Sequence, residues 1–142
     1  MIIQGLHHIG IVVRDVERAI TQYGQHLNLQ TTHREDYGGG LLTIAFIPLG
    51  PTDGRNGPLI ELLQPLRPGS SAWTFLQEKG EGIEHIAMSV SHLDDQLQQL
   101  QNQRVPLWDH VGRDGADGTR IAFLDPEGFS GCLLELVESH GE

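Results

Sequence analysis

The chain has 142 residues, nineteen acidic against nine basic side chains, a formal net charge of −10 and 38% hydrophobic residues. That length builds one domain with a full core, and a mean hydropathy of −0.24 excludes disordered and fibrous classes. The acidic balance argues against nucleic acid or an anionic membrane surface as a partner, so an anionic substrate has to be met by local arginines.

The opening stretch GLHHIGIVV at 5–13 reads as an apolar strand. It lacks the basic flank of a leader, and no apolar run approaches the ~20 residues that span a bilayer, which predicts a cytoplasmic protein. A helical pattern follows in Val16, Ala19, Ile20, Tyr23 and Leu27, with Asp15 as its N-cap. Strands then alternate with the turn stretches YGGG at 37–40 and GPTDGRNGP at 50–58, and end in IELL at 60–63. A connector over about 66–81 carries a short helix at about 71–79, capped by Ser70 or Ser71 and stopped by Gly80. GIEHIAMSV at 82–90 is a second apolar strand, followed by a helical pattern in Leu93, Leu97 and Leu100 with His92 near its start. GRDGADG at 112–118 and DPEG at 125–128 mark turns before the last strand, LLELV at 133–137. Cys132, the single cysteine, excludes an internal disulfide framework and reads as a small buried hydrophobe.

The chain repeats itself. A shift of 77 positions aligns Gly5, His8, Ile9 and Val13 with Gly82, His85, Ile86 and Val90, and IAF at 44–46 with IAF at 121–123. A shift of 74 aligns IELL at 60–63 with LELV at 134–137, so Glu61 and Glu135 are equivalent. A self-match of this kind marks a duplicated supersecondary unit. The predicted order is βαβββ twice, in an α+β domain with module 1 at about 5–65, the connector, and module 2 at about 82–138.

Strand side chains alternate, so Ile9, Ile11 and Val13 face a helix while His8 points the other way, and Met88 and Val90 separate from His85 likewise. Ile60 and Leu62 bracket Glu61, and Leu134 and Leu136 bracket Glu135. A carboxylate among aliphatic neighbours costs several kcal/mol to bury unless it is paired or holds a cation. An approximate two-fold relation between the copies would bring His8, Glu61, His85 and Glu135 to one point. Such a set suits a divalent Zn, Ni, Co, Mn or Fe ion, with positions left for water or substrate.

At these residues the chain resembles the vicinal oxygen chelate superfamily (glyoxalase, bleomycin resistance, dioxygenase) along essentially its whole length. That resemblance implies paired βαβββ modules forming a cupped mixed sheet around a divalent metal, and a homodimer. Within the superfamily the sequence is most similar to the methylmalonyl-CoA epimerase family, through HHIGIVVRDVERAI, IELLQPLRPGSSAWTFLQEKGEGIEHIAMSV and IAFLDPEGFSGCLLELVE. The His, Glu, His, Glu set together with DPEG equally resembles the glyoxalase I (lactoylglutathione lyase) family.

Carried over residue by residue, the metal ligands are His8, Glu61, His85 and Glu135. The implied chemistry is proton transfer through a metal-stabilised enediolate on a thioester or hemithioacetal, with Glu135 as first choice for the base and Glu61 as second. Epimerases with Gln at the Glu61 position are familiar. A second acid of some epimerases aligns near Thr43, and Asp125, Pro126, Glu127 and Gly128 replace a more basic rim. Two other activities compete. One is a small-molecule binding or resistance protein of the same fold, which typically lacks the full ligand set; the other is an extradiol dioxygenase, which expects two His and one Glu.

Other residues draw plainer readings. His7 has the opposite parity to His8, and Glu84 reads as a surface acid. His26, His33, His92, His110 and His140 fall in helix ends, loops or the tail. Gly38–Gly40 lacks the Lys-Ser/Thr of a phosphate loop and reads as a turn or lid. Trp73 and Phe75 suit packing, Trp108 and Phe129 could border the cup, and either Arg113 or Arg120 could meet a substrate carboxylate or phosphate.

Overall fold

The computed structural model describes residues 3–50 and 57–139, so most of the turn at 50–58 and His140 lie outside the described residues. The elements run β1 (Gly5–Val12), α1 (Val16–Leu27), β2 (His33–Tyr37), β3 (Leu42–Pro48), β4 (Leu59–Pro65), α2 (Ser71–Lys79), β5 (Gly82–Ser89), α3 (Leu93–Asn102), β6 (Arg113–Asp114), β7 (Arg120–Leu124) and β8 (Leu134–Glu138). The predicted βαβββ order is therefore present twice. The chain divides into two compact units, one at 8–84 and the other at 1–7 with 85–142.

In the first unit the strand order is β2-β3-β4-β1, with β1 parallel to β4 and the other pairs antiparallel. One face of this sheet carries α1. There Val13, Val16, Ala19, Ala45, Ile47 and Leu62 are buried, with Ile11, Ile20, Tyr23 and Ile60 against them. The alternation read from the sequence sorts these residues correctly. Leu27 is the exception, 63% exposed at the helix end. Asn28 takes a left-handed conformation there (φ 56) and the Leu29 N–H donates to the Tyr23 carbonyl, so the chain doubles back and Leu29 packs on the core instead.

The second unit repeats the plan in the order β5-β8-β7-β6, with β5 parallel to β8. Val90, Leu93, Leu97, Ala122, Leu124 and Leu136 form the core under α3, and Met88, Leu100 and Leu134 close it. Cys132 lies just before β8 and is half-buried rather than part of the core.

The helix starts show how closely the halves correspond. Asp15 caps α1 by accepting from Arg18 N–H, as the sequence predicts, while the Val16 N–H donates to the Gln64 side chain of β4 at 2.9 Å. In the other half Leu93 N–H donates to the Glu138 carboxylate of β8 at 3.0 Å. Gln64 and Glu138 are repeat equivalents. His92, at the start of α3, has φ 54 and offers no side-chain cap, so Glu138 supplies the acceptor there. Ser70 caps α2 through Trp73 N–H, and Gly80 ends it. Gly38, Gly39 and Gly40 have φ of 69, 63 and 93 in the β2–β3 turn, a run of left-handed residues that side chains with a Cβ adopt at a cost.

Candidate functional site

Each four-stranded half has a second face, away from its helix, and each carries one His and one Glu. In the first unit β1 pairs with β4 so that Gly10 lies opposite Glu61, and His8 sits two residues earlier on the same side. In the second, β5 pairs with β8 so that Ala87 lies opposite Glu135, with His85 two residues earlier. The register is the same in both halves. Gly10 and Ala87 are the smallest residues available, and their size leaves room beside each carboxylate for an imidazole leaning along the strand.

On the other flank Phe46 of β3 lies opposite Glu61, and Phe123 of β7 lies opposite Glu135. Apolar walls on both sides lower the local dielectric, which strengthens any charge interaction made there. His8 Nδ1 lies 3.0 Å from Glu61 Oε2, and His85 Nε2 lies 4.0 Å from Glu135 Oε1. Exposures are 3%, 5%, 4% and 4% for His8, Glu61, His85 and Glu135, and among the described residues these four make up the buried polar or charged set. The sequence singled out the same four.

The His/carboxylate groupings His7, His8, Glu61 and His8, His85, Glu135 are each compatible with a divalent cation, and neither holds all four residues. Imidazole nitrogen and carboxylate oxygen together suit first-row divalent metals, and each of the four residues belongs to at least one of these groupings. His7, half-buried and set aside on strand parity, also counts as a candidate donor.

Thr43 does not belong to this face. It alternates with Ile44 on β3, sharing the α1 side with Ala45 and Ile47, and its hydroxyl donates to Asp36 at 3.5 Å. The β2 side chains that share the Glu61 face are instead His33, opposite Phe46, and Glu35, opposite Ile44. His33 is therefore a strand residue, not a loop one. Its ring lies 5.1 Å from that of Phe46, and its Nε2 is 4.0 Å from Glu35. A sequence without strand pairing gives no signal for this placement, because register across a turn decides it.

The two arginines separate as well. Arg120 pairs with Asp94 at 3.2 Å and donates to the Gly112 carbonyl, and Gly112 N–H donates to Asp94, which ties the 112 loop to α3. Arg113 lies opposite Ile121, with its guanidinium carbon 5.6 Å from the centroid of the Phe123 ring.

The Glyoxalase/Bleomycin resistance protein/Dioxygenase superfamily model matches residues 7–123. The chain is 37% identical to the uncharacterized protein YqjC of Bacillus subtilis, over 96% of this chain and 94% of that one. It is 35% identical to the ethylmalonyl-CoA/methylmalonyl-CoA epimerase of Cereibacter sphaeroides, over 94% and 96%. Among solved structures, methylmalonyl-CoA epimerase from Mycobacterium tuberculosis superposes with a TM-score of 0.86 at 34% identity, covering 96% of this chain and 88% of that one. The Streptomyces coelicolor epimerase bound to 2-nitronate-propionyl-CoA gives 0.90 at 27% identity, covering 99% and 100%. With its duplicated βαβββ halves and a family match over most of its length, the chain belongs to the glyoxalase/bleomycin resistance protein/dioxygenase superfamily.

Proposed function

We propose that the protein is a divalent-metal-dependent epimerase acting on the carbon between the carboxylate and the thioester of methylmalonyl-CoA or a close homologue. The observation that carries this reading is that the buried polar set among the described residues consists of two His–Glu pairs in identical registers. Buried charge of this kind is costly and is kept where it does chemistry. Epimerase relatives matched along nearly their whole length supply the substrate class.

His8, Glu61, His85 and Glu135 would hold the ion, which supplies the Lewis acidity that makes a C–H beside a carbonyl acidic enough for a carboxylate to remove. Glu135 is the first candidate to take that proton and return it to the opposite face, with Glu61 second. Phe46 and Phe123 flank the two carboxylates and limit water there. The ligand set leaves the metal identity open among Co, Ni, Zn, Mn and Fe.

The test is incubation of metal-loaded protein in deuterated water with one epimer of methylmalonyl-CoA and, separately, with the hemithioacetal of methylglyoxal and glutathione. Deuterium entering C2 of the thioester with loss of optical purity supports the proposal. Conversion of the hemithioacetal to its lactoyl thioester alone would assign the site to glyoxalase chemistry. Binding of either compound without proton exchange would make it a sequestering protein.

A further inference from the structure

The two halves match at their His, Glu and Phe positions and diverge at what lies beyond the phenylalanine. In the second unit Leu107 bridges to Leu124 and is buried in the α3 core. Trp108 N–H and Asp109 N–H both donate to the Phe123 carbonyl, and Phe123 N–H donates to the Asp109 carboxylate at 2.9 Å. Two residues set against one in this way form a β-bulge, a device that re-aims a side chain. Leu107 faces the helix, so Trp108 faces the other way, on the side that carries Phe123 and Glu135. Its ring centroid lies 6.2 Å from that of Phe123, which in turn meets His85 edge-on at 5.3 Å.

Shifted by 77 positions, Trp108 and Asp109 correspond to Thr31 and Thr32. Thr32 N–H likewise donates to the Phe46 carbonyl, so the backbone arrangement is kept while a small hydroxyl side chain stands where the other half has an indole. Beyond Phe46 the face is polar, with His33 and Glu35; beyond Phe123 it ends in Trp108, 47% exposed. An indole fixed by its backbone and left half in water offers a ligand a large rigid apolar surface with a polar N–H at its edge. Glu135 on β8, Phe123 on β7 and Trp108 at the edge follow one another across the sheet, which sets Trp108 two strand spacings from Glu135, about 10 Å. A one- or two-carbon branch on the carbon facing Glu135 falls short of that, whereas the arm attached through the thioester reaches it.

We propose that Trp108, aimed by the bulge onto the His85–Glu135 side of its sheet, is the packing platform for the uncharged amide-and-methylene arm of the substrate's thioester carrier and makes the site prefer a long carrier to a short one. The identity of that arm as pantetheine rests on the epimerase reading; the platform rests on the register and the rings.

The chain holds two tryptophans, so Trp73→Phe leaves Trp108 as the one indole emitter. Metal-loaded Trp73→Phe protein is titrated with methylmalonyl-pantetheine and with methylmalonyl-N-acetylcysteamine, which keeps the acid end and the thioester but stops at the first amide. The pantetheine thioester should change Trp108 emission at saturation. Its dissociation constant, read by calorimetry, should rise about tenfold when Trp108→Ala is added and recover in part with Trp108→Phe. That of the short thioester should change by less than about twofold. A pantetheine thioester that leaves Trp108 emission unchanged, or affinities for the two thioesters that Trp108→Ala alters equally or not at all, overturns the proposal. Trp108-dependent binding of the long arm in a protein that catalyses no deuterium exchange would refute the epimerase reading and leave the platform standing; exchange that persists with affinities indifferent to Trp108 would do the reverse.

Discussion

His8 and His85 lie on strands whose neighbours are aliphatic, and each draws a carboxylate from a parallel partner strand into the same dry surroundings. If Glu135 moves the proton, Glu135→Gln lowers the deuterium exchange rate at C2 by about 10²–10⁴-fold. Glu61→Gln keeps an oxygen donor and lowers it by less than about tenfold. Equal losses in the two variants, measured as initial exchange rates under saturating metal, would contradict this division of roles. These four residues were legible in the sequence because duplication repeats them in register. His33 and Glu35 were not, and the sequence offered Arg113 and Arg120 without separating them, since membership of a face follows from pairing across β6–β7 and β2–β3 rather than from local spacing.

At the scale of elements, the fully buried Leu62 and Leu136 are equivalent residues packed under α1 and α3. Each should cost about 2–5 kcal/mol on substitution by Ala, because neither core can close over the space left behind. Gln64→Leu and Glu138→Leu remove the acceptors at the starts of α1 and α3 and should cost about 1 kcal/mol apiece. In thermal melts that is a fall of roughly 3–5 °C for a chain of this size; no change in either variant would mean that water serves these N–H groups equally well. Asp15 and Ser70 could be recognised as caps because they precede their helices directly. Gln64 and Glu138 could not, lying 48 and 45 residues from the N–H groups they accept from. Thr43 illustrates the same limit, since the family resemblance sets it near a second acid of some epimerases while its strand register puts it on the α1 side with Ala45 and Ile47.

For the whole molecule, the repeat in the sequence foretold two βαβββ halves, and the resemblance of its motifs foretold the family to which the chain belongs. A buried His–Glu pair stabilises weakly on its own, because desolvation offsets much of the attraction. Ion binding should therefore raise the melting point, with about 2.7 kcal/mol gained when free metal exceeds its dissociation constant a hundredfold. Glu135→Leu should leave the metal-free protein as stable or more so, while abolishing the rise on adding metal. A metal-induced rise that survives in that variant would place the ion elsewhere.

The most direct trial of the proposed metal ligands is the metal content of purified protein, together with that of His8→Ala and of His85→Ala, after saturation with a divalent ion and removal of excess. One ion per chain, lost in each variant alone, is the predicted outcome. Two ions per chain, or full occupancy kept in either variant, would contradict it.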